Sequence, residues 1–216
     1  MSAAAPFLRA FLLAVISLLT GPFRLHAAGI DPYKLEEIQT LIAGSQFDEA
    51  DRLMRAALID APNDVDLICL RGTVAVMRDE LPQAEALFRE SLQIRPKEDR
   101  FIMNLAEILY RQGKYQEAAP MYARISKRHP VRPLAQYKQI LCFLLADDRA
   151  TAANLTESLD LTPGDPAFLY AHAALAYYDG DTAAARYFAE SARRLYRAPS
   201  DVFRLPLIEQ GWVTDS

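Results

Sequence analysis

Residues 101–130, FIMNLAEILYRQGKYQEAAPMYARISKRHP, decide the fold of this chain. Ile102, Leu105, Ala106 and Leu109 keep the three- and four-residue spacing that lines one face of a helix. Gly113 interrupts the pattern, and glycine tolerates the sharp reversal a tight turn needs. Tyr115, Ala118, Ala119, Tyr122 and Ile125 then mark a second stripe of the same period. His129-Pro130 closes it, because proline drives the residue before it out of helical geometry. The stretch predicts two helices joined by a turn.

The same pattern recurs on both sides. Ala50, Ala84, Ala118 and Ala152 stand 34 residues apart, and Ala185 follows after 33. Pro62, Pro96 and Pro130 keep the 34-residue step, with Pro163 again after 33. Between alanine and proline come a bulky residue (Met54, Phe88, Tyr122) and a smaller or apolar one (Ala57, Ser91, Ile125). A fixed period of this length predicts stacked helix pairs, here over 31–64, 65–98, 99–132, 133–165 and 166–198. The small alanines would let paired helices approach closely. The fourth repeat is one residue short, with Arg149 replacing the usual aromatic and Thr156 at the large apolar site. Irregular geometry or lower local stability is expected there. In residues 199–216 the pattern stops: Pro199, Pro206 and Gly211 prevent one long capping helix, yet Val202, Phe203, Leu205, Leu207, Ile208 and Trp212 are too apolar for a free tail. That segment is expected either to cap the last repeat or to lie in a groove and compete with a ligand.

The N-terminus is a different kind of sequence. Met1 to Arg9 is weakly positive, Ala10 to Leu19 is apolar apart from Ser17, and Gly21-Pro22 ends any helix. Leu25-His26-Ala27-Ala28 then supplies small residues for a signal peptidase. Residues 1–28 are expected to be a cleaved signal peptide, leaving a periplasmic or secreted chain; the alternative is an uncleaved membrane anchor. A spanning helix needs about 20 apolar residues, and Arg9 and Arg24 bracket too short a stretch, so no membrane span is expected in the mature chain. Hydrophobic residues at 51% and charged residues at 24% describe a folded chain. Without residues 1–28 the chain holds 22 Lys/Arg against 28 Asp/Glu. A net-negative body binds polyanions poorly, so no nucleic-acid partner is expected.

With these positions laid out, the chain resembles the tetratricopeptide repeat family. The second repeat has Gly72, Leu81, Ala84, Phe88 and Pro96 at family positions; the third has Leu105, Ala106, Gly113, Tyr115, Ala118, Tyr122 and Pro130. The first retains Phe47, Ala50, Met54, Ala57 and Pro62, and the fifth has Gly180, Ala185, Ala189 and Ala192 but Arg197 where the proline falls. The resemblance covers residues 31–198 and implies an all-α, right-handed superhelical solenoid of antiparallel helix pairs. It also implies that first helices line a concave groove where partners bind. Carried over by position, the candidate partner-binding residues are Met77, Arg100, Met103, Glu107, Tyr110, Arg111, Tyr137, Tyr170 and Tyr177. Tyrosine, methionine and arginine suit the capture of an amphipathic helix or extended peptide, although the same side chains can pack neighbouring first helices together. The Lys/Asn/Arg carboxylate clamp of some family members is not matched, since Leu35, Gln39, Leu70 and Asn104 occupy those positions. Stacking places Cys69 and Cys142 two repeats apart, beyond the roughly 7 Å Cα separation a disulfide allows, so both are read as free, buried thiols.

Signatures of chemistry are lacking. The sequence holds no glycine-rich phosphate loop, no GxSxG and no HExxH, and His26, His129 and His172 have no second His or Cys at zinc spacing. No catalytic residue, cofactor or metal is expected. The expected function is an exported scaffold or adaptor for a protein or peptide partner, in envelope or secretion assembly. The alternatives are a non-catalytic or catalytic subunit of an envelope enzyme complex, with Glu107 as its acid–base candidate, and a structural protein that self-associates through an uncovered repeat end.

Overall fold

The computed structural model describes residues 31–161, 164–196 and 200–213; the expected signal peptide, 1–28, lies outside them. Among the described residues there are eleven helices. They are α1 (Pro32–Ala43), α2 (Phe47–Asp60), α3 (Val65–Met77), α4 (Leu81–Ile94), α5 (Asp99–Arg111), α6 (Tyr115–Arg124), α7 (Arg132–Leu145), α8 (Arg149–Glu157), α9 (Ala167–Tyr178), α10 (Thr182–Leu195) and α11 (Ser200–Glu209). The chain forms two compact units, one up to Ile108 and one from Leu109. In the first, α1 packs on α2, α2 on α3 and α3 on α4; in the second, α6 packs on α7, α7 on α8 and α9, and α9 on α10.

Each pair closes on a small residue. Ala50, Ala84, Ala118, Ala152 and Ala185 are all 0% exposed, as their column in the sequence predicts. The approach is tightest at Gly72, where an added Cβ would lie 2.6 Å from the Phe88 ring. Beyond the alanines, Met54, Phe88 and Tyr122 fill the space between helices and are themselves buried. In the first unit this makes a core of Ile38, Ala50, Met54, Leu67 and Val74, with Phe47, Leu53 and Leu70 packed against it.

The turns repeat as faithfully as the core. Ser45 (φ 58°), Asp79 (φ 62°), Gly113 (φ 73°), Asp147 (φ 59°) and Gly180 (φ 79°) are left-handed, at steps of 34, 34, 34 and 33 residues. At each, the left-handed residue donates its N–H three residues back and the next residue donates five back, as in Gly113 to Tyr110 and Lys114 to Leu109. This arrangement satisfies the last carbonyls of a helix. Aspartates help start the helices that follow: Asp64 accepts from Asp66 and Leu67 N–H, Asp148 from Thr151, and Asp181 from Ala184. Such caps are worth about 1 kcal/mol each. Side chains also tie one pair to the next within a unit. Arg78 meets Asp48 at 2.7 Å and Arg71 meets Asp51 at 2.8 Å in the first unit; in the second, Tyr178 donates to Asp147 at 3.0 Å.

Regularity drops in the fourth pair. α8 has 9 residues, where α2, α4 and α10 have 14. Thr156 is buried and spends its hydroxyl on the Ala152 carbonyl at 2.8 Å, and Arg149 reaches out to Asp179 rather than packing inward.

The tail carries one more helix. Ser200–Glu209 is a helix with Pro206 inside it, packed on α9 and α10. Burial of Phe203 and Leu207 outweighs the hydrogen bond that Pro206 cannot make. Phe203 follows Tyr170 by 33 residues, as Tyr170 follows Tyr137. α11 also ends in the turn of the other first helices, with Gly211 left-handed at φ 70° and Trp212 bonded back to Leu207. It is built as a further first helix.

Two substitutions test this account with opposite signs. Gly72→Ala gains about 1 kcal/mol of helix propensity but drives a methyl group into Phe88, at a cost of about 1–3 kcal/mol. A lower urea midpoint is expected. Ser45→Gly relieves a left-handed non-glycine residue and should raise stability by about 1 kcal/mol.

Candidate functional site

The candidate residues do not share one environment. In the first unit, Met77 and Glu107 are half-buried, whereas Met103 is 0% exposed. Arg100 is held: its guanidinium donates to Asp66 at 2.5 Å, and Arg95 approaches the other Asp66 oxygen at 3.7 Å. Asp66 opens α3, where a carboxylate also favours the helix N-terminus. Arg100 thereby ties α5 to α3. Beside it, Asn104 donates to Cys69 Sγ at 3.5 Å. Burial pushes the Cys69 thiol up to about 12 from 9.0.

In the second unit the expected tyrosine surface is mostly used internally. Tyr110 packs edge-on to Tyr115 at 5.5 Å and carries the Lys138 ammonium 4.1 Å above its ring, a cation–π contact. Tyr137, Tyr170 and Phe203 form a three-ring cluster with centroids 5.6–6.1 Å apart. Tyr137 and Tyr170 are 0% exposed. Their assignment to an open groove is thus corrected: rings at equivalent positions of successive first helices meet each other, and α11 covers them with Phe203. The Tyr137 hydroxyl is buried without a hydrogen-bond partner, and burial, with the neighbouring Tyr170, raises its pKa well above the ordinary tyrosine value. Arg111 and Tyr177 stay half-buried; Tyr177 stacks on Trp212 at 6.1 Å, and burial raises its pKa too.

Lys138 is a contributor that sequence reasoning missed, whereas Phe203 and Trp212 belong to the apolar set of the tail. Phe203 had a usable signal in its 33-residue step from Tyr170. Lys138 had none. His172 lies between Phe168 and Phe188, with ring centroids at 4.4 and 5.0 Å, and burial lowers its pKa; it is a half-buried histidine packed between two rings. Among the described residues no cluster of three His, Cys, Asp or Glu could hold a metal ion.

Comparison with known proteins agrees with this architecture. Sequence models described as tetratricopeptide repeat match residues 35–99 and 75–140. The chain belongs to the tetratricopeptide repeat family. No curated protein matches the sequence. Solved structures similar to this tetratricopeptide repeat protein include one from Parabacteroides merdae (TM-score 0.64, 16% identity), where the match covers 75% of this chain and 65% of that one. PilF of Pseudomonas aeruginosa gives a TM-score of 0.59 at 21% identity, over 83% of each chain. PilW, a widely conserved type IV pilus biogenesis factor, gives 0.60 at 15% identity, over 85% of this chain and 94% of its own. These likenesses are ones of fold. Tetratricopeptide repeat proteins act as protein–protein interaction scaffolds and are generally non-catalytic.

Two measurements check the buried groups. Removing the unpartnered hydroxyl in Tyr137→Phe should leave stability unchanged or raise it by about 1 kcal/mol in urea melts, because an unsatisfied buried polar group costs about 1–3 kcal/mol. For Cys69 the unfolded chain loses its thiol proton near 9.0, while the folded chain keeps it to about 12. The folded state then binds more protons, so stability falls as pH rises through this window, by up to roughly 1.4 kcal/mol per pH unit. Cys69→Ala should flatten that alkaline slope.

Proposed function

We propose that this tetratricopeptide repeat protein is an exported scaffold that holds a helix or peptide of a partner protein along its first helices, in the assembly of an envelope or secretion structure. The observation that carries the reading is the set of first-helix side chains left partly open. These are Met77 and Glu107 in the first unit and Arg111 and Tyr177 in the second. They combine adaptable apolar surface with charge and a phenol, the groups that dominate binding hot spots. Export rests on the tripartite sequence of residues 1–28. The envelope setting is suggested by likeness of fold to PilW, itself a pilus biogenesis factor. Among the described residues no helix is long and apolar enough to cross a membrane, and the proposed partner is a protein.

Expression of the whole chain in a bacterial host tests both parts. The periplasmic fraction should yield a protein whose N-terminal sequence starts at Gly29, and affinity capture from an envelope extract should retain a partner. Met77→Ala and Tyr177→Ala should each weaken capture roughly tenfold with helical circular dichroism unchanged. Capture indifferent to both substitutions, or a chain beginning at Met1 and retained in the membrane, would sink the proposal.

A further inference from the structure

The aromatic surface of α7 and α9 is covered by the chain's own tail. Tyr137 of α7 and Tyr170 of α9 meet the Phe203 ring of α11 at 5.6 and 5.8 Å. Trp212, just beyond α11, stacks on Tyr177 of α9 at 6.1 Å. Phe203 and Leu207, four residues apart and so on one face of α11, are both buried. Three residues that the family resemblance places in a partner groove, Tyr137, Tyr170 and Tyr177, thus already hold a helical segment.

α11 is held by what it buries. Pro206 stands inside it, so the Val202 carbonyl lacks its usual helical donor, and no residue lowers helix propensity more than proline. The helix owes its form to packing on α9 and α10. Its cover also leaves a cost underneath. The Tyr137 hydroxyl is buried and finds no hydrogen-bond partner among the described residues; water or an incoming acceptor would satisfy it once α11 left. The seated helix also shows what fits this surface: an aromatic ring and, four residues later, a leucine.

We propose that α11 is a resident occupant of a docking surface on α7 and α9, and that a partner helix with an aromatic residue four positions before a leucine displaces it. The tail then regulates the scaffold, because the partner's apparent affinity falls in proportion to the fraction of chains that stand open. The proposal rests on the scaffold reading for the existence of a helical partner, and takes that partner's pattern from α11 itself.

Trp212 is the sole tryptophan of the chain and reports its own release. The probe is a synthetic peptide of residues 200–213 carrying Trp212→Phe, titrated into the whole chain. As it binds, Trp212 emission should shift to the red and become more open to acrylamide quenching. The same peptide carrying Phe203→Ala and Leu207→Ala as well should leave the emission unchanged. In the whole chain, Phe203→Ala loosens the resident helix and should tighten binding of a fluorescein-labelled probe about tenfold or more; if that variant does not fold, the wild-type emission decides alone. Emission unmoved by millimolar probe, an equal response to the alanine peptide, or a folded Phe203→Ala chain that binds no more tightly would overturn the proposal and mark α11 as a fixed cap. The probe stands in for the envelope partner, so the two readings fail separately: α11 can prove fixed while capture succeeds, or exchangeable while capture fails.

Discussion

The structure depends on how closely two helices can come together where a side chain is nearly absent. Ala50, Ala84, Ala118, Ala152 and Ala185 have no exposed surface, and Gly72 sits so near Phe88 that a Cβ would lie 2.6 Å from the ring. Met54, Phe88 and Tyr122, four residues beyond an alanine in each case, are buried with them. Interiors packed this densely resist added volume. Each pair is then a rigid unit, and neighbours can stack on it only in register.

The turns hold that register from outside the core. A left-handed residue ends the first helix of every pair, and at Ser45, Asp79 and Asp147 a non-glycine residue accepts the conformation, at a cost of about 1–2 kcal/mol. Each such turn binds two otherwise orphaned carbonyls, which offsets part of the strain. Partly exposed links such as Arg78–Asp48 add little energy but connect one pair to the next. The Arg100–Asp66 link is more enclosed; its net stabilisation is small because desolvation opposes the attraction, and its value lies in fixing where α5 meets α3.

Packing and binding draw on the same residues, and packing takes most of them. Tyrosines at equivalent positions of successive first helices point toward each other, so Tyr137 and Tyr170 meet and Phe203 completes the cluster. Of the first-helix candidates, Met77, Glu107, Arg111 and Tyr177 stay partly open.

The period, the helix pairs, the alanine contacts and the glycine turns were legible in the chain because each rests on local geometry: 3.6-residue periodicity, the size of one side chain, the freedom of one backbone angle. The short helix of the tail was not legible in this way. Pro206 argues locally against a helix, but Phe203 and Leu207 are buried against α9 and α10, and that burial prevails. Which face of a tyrosine meets water, whether Arg100 is free or tied to Asp66, and where Arg149 turns are set by neighbours about 30 or more residues away in sequence. Sequence alone determined that helices pair and recur; only the tertiary structure decided which side chains the pairing consumes, because burial is a property of the neighbours a residue acquires and not of the residue itself.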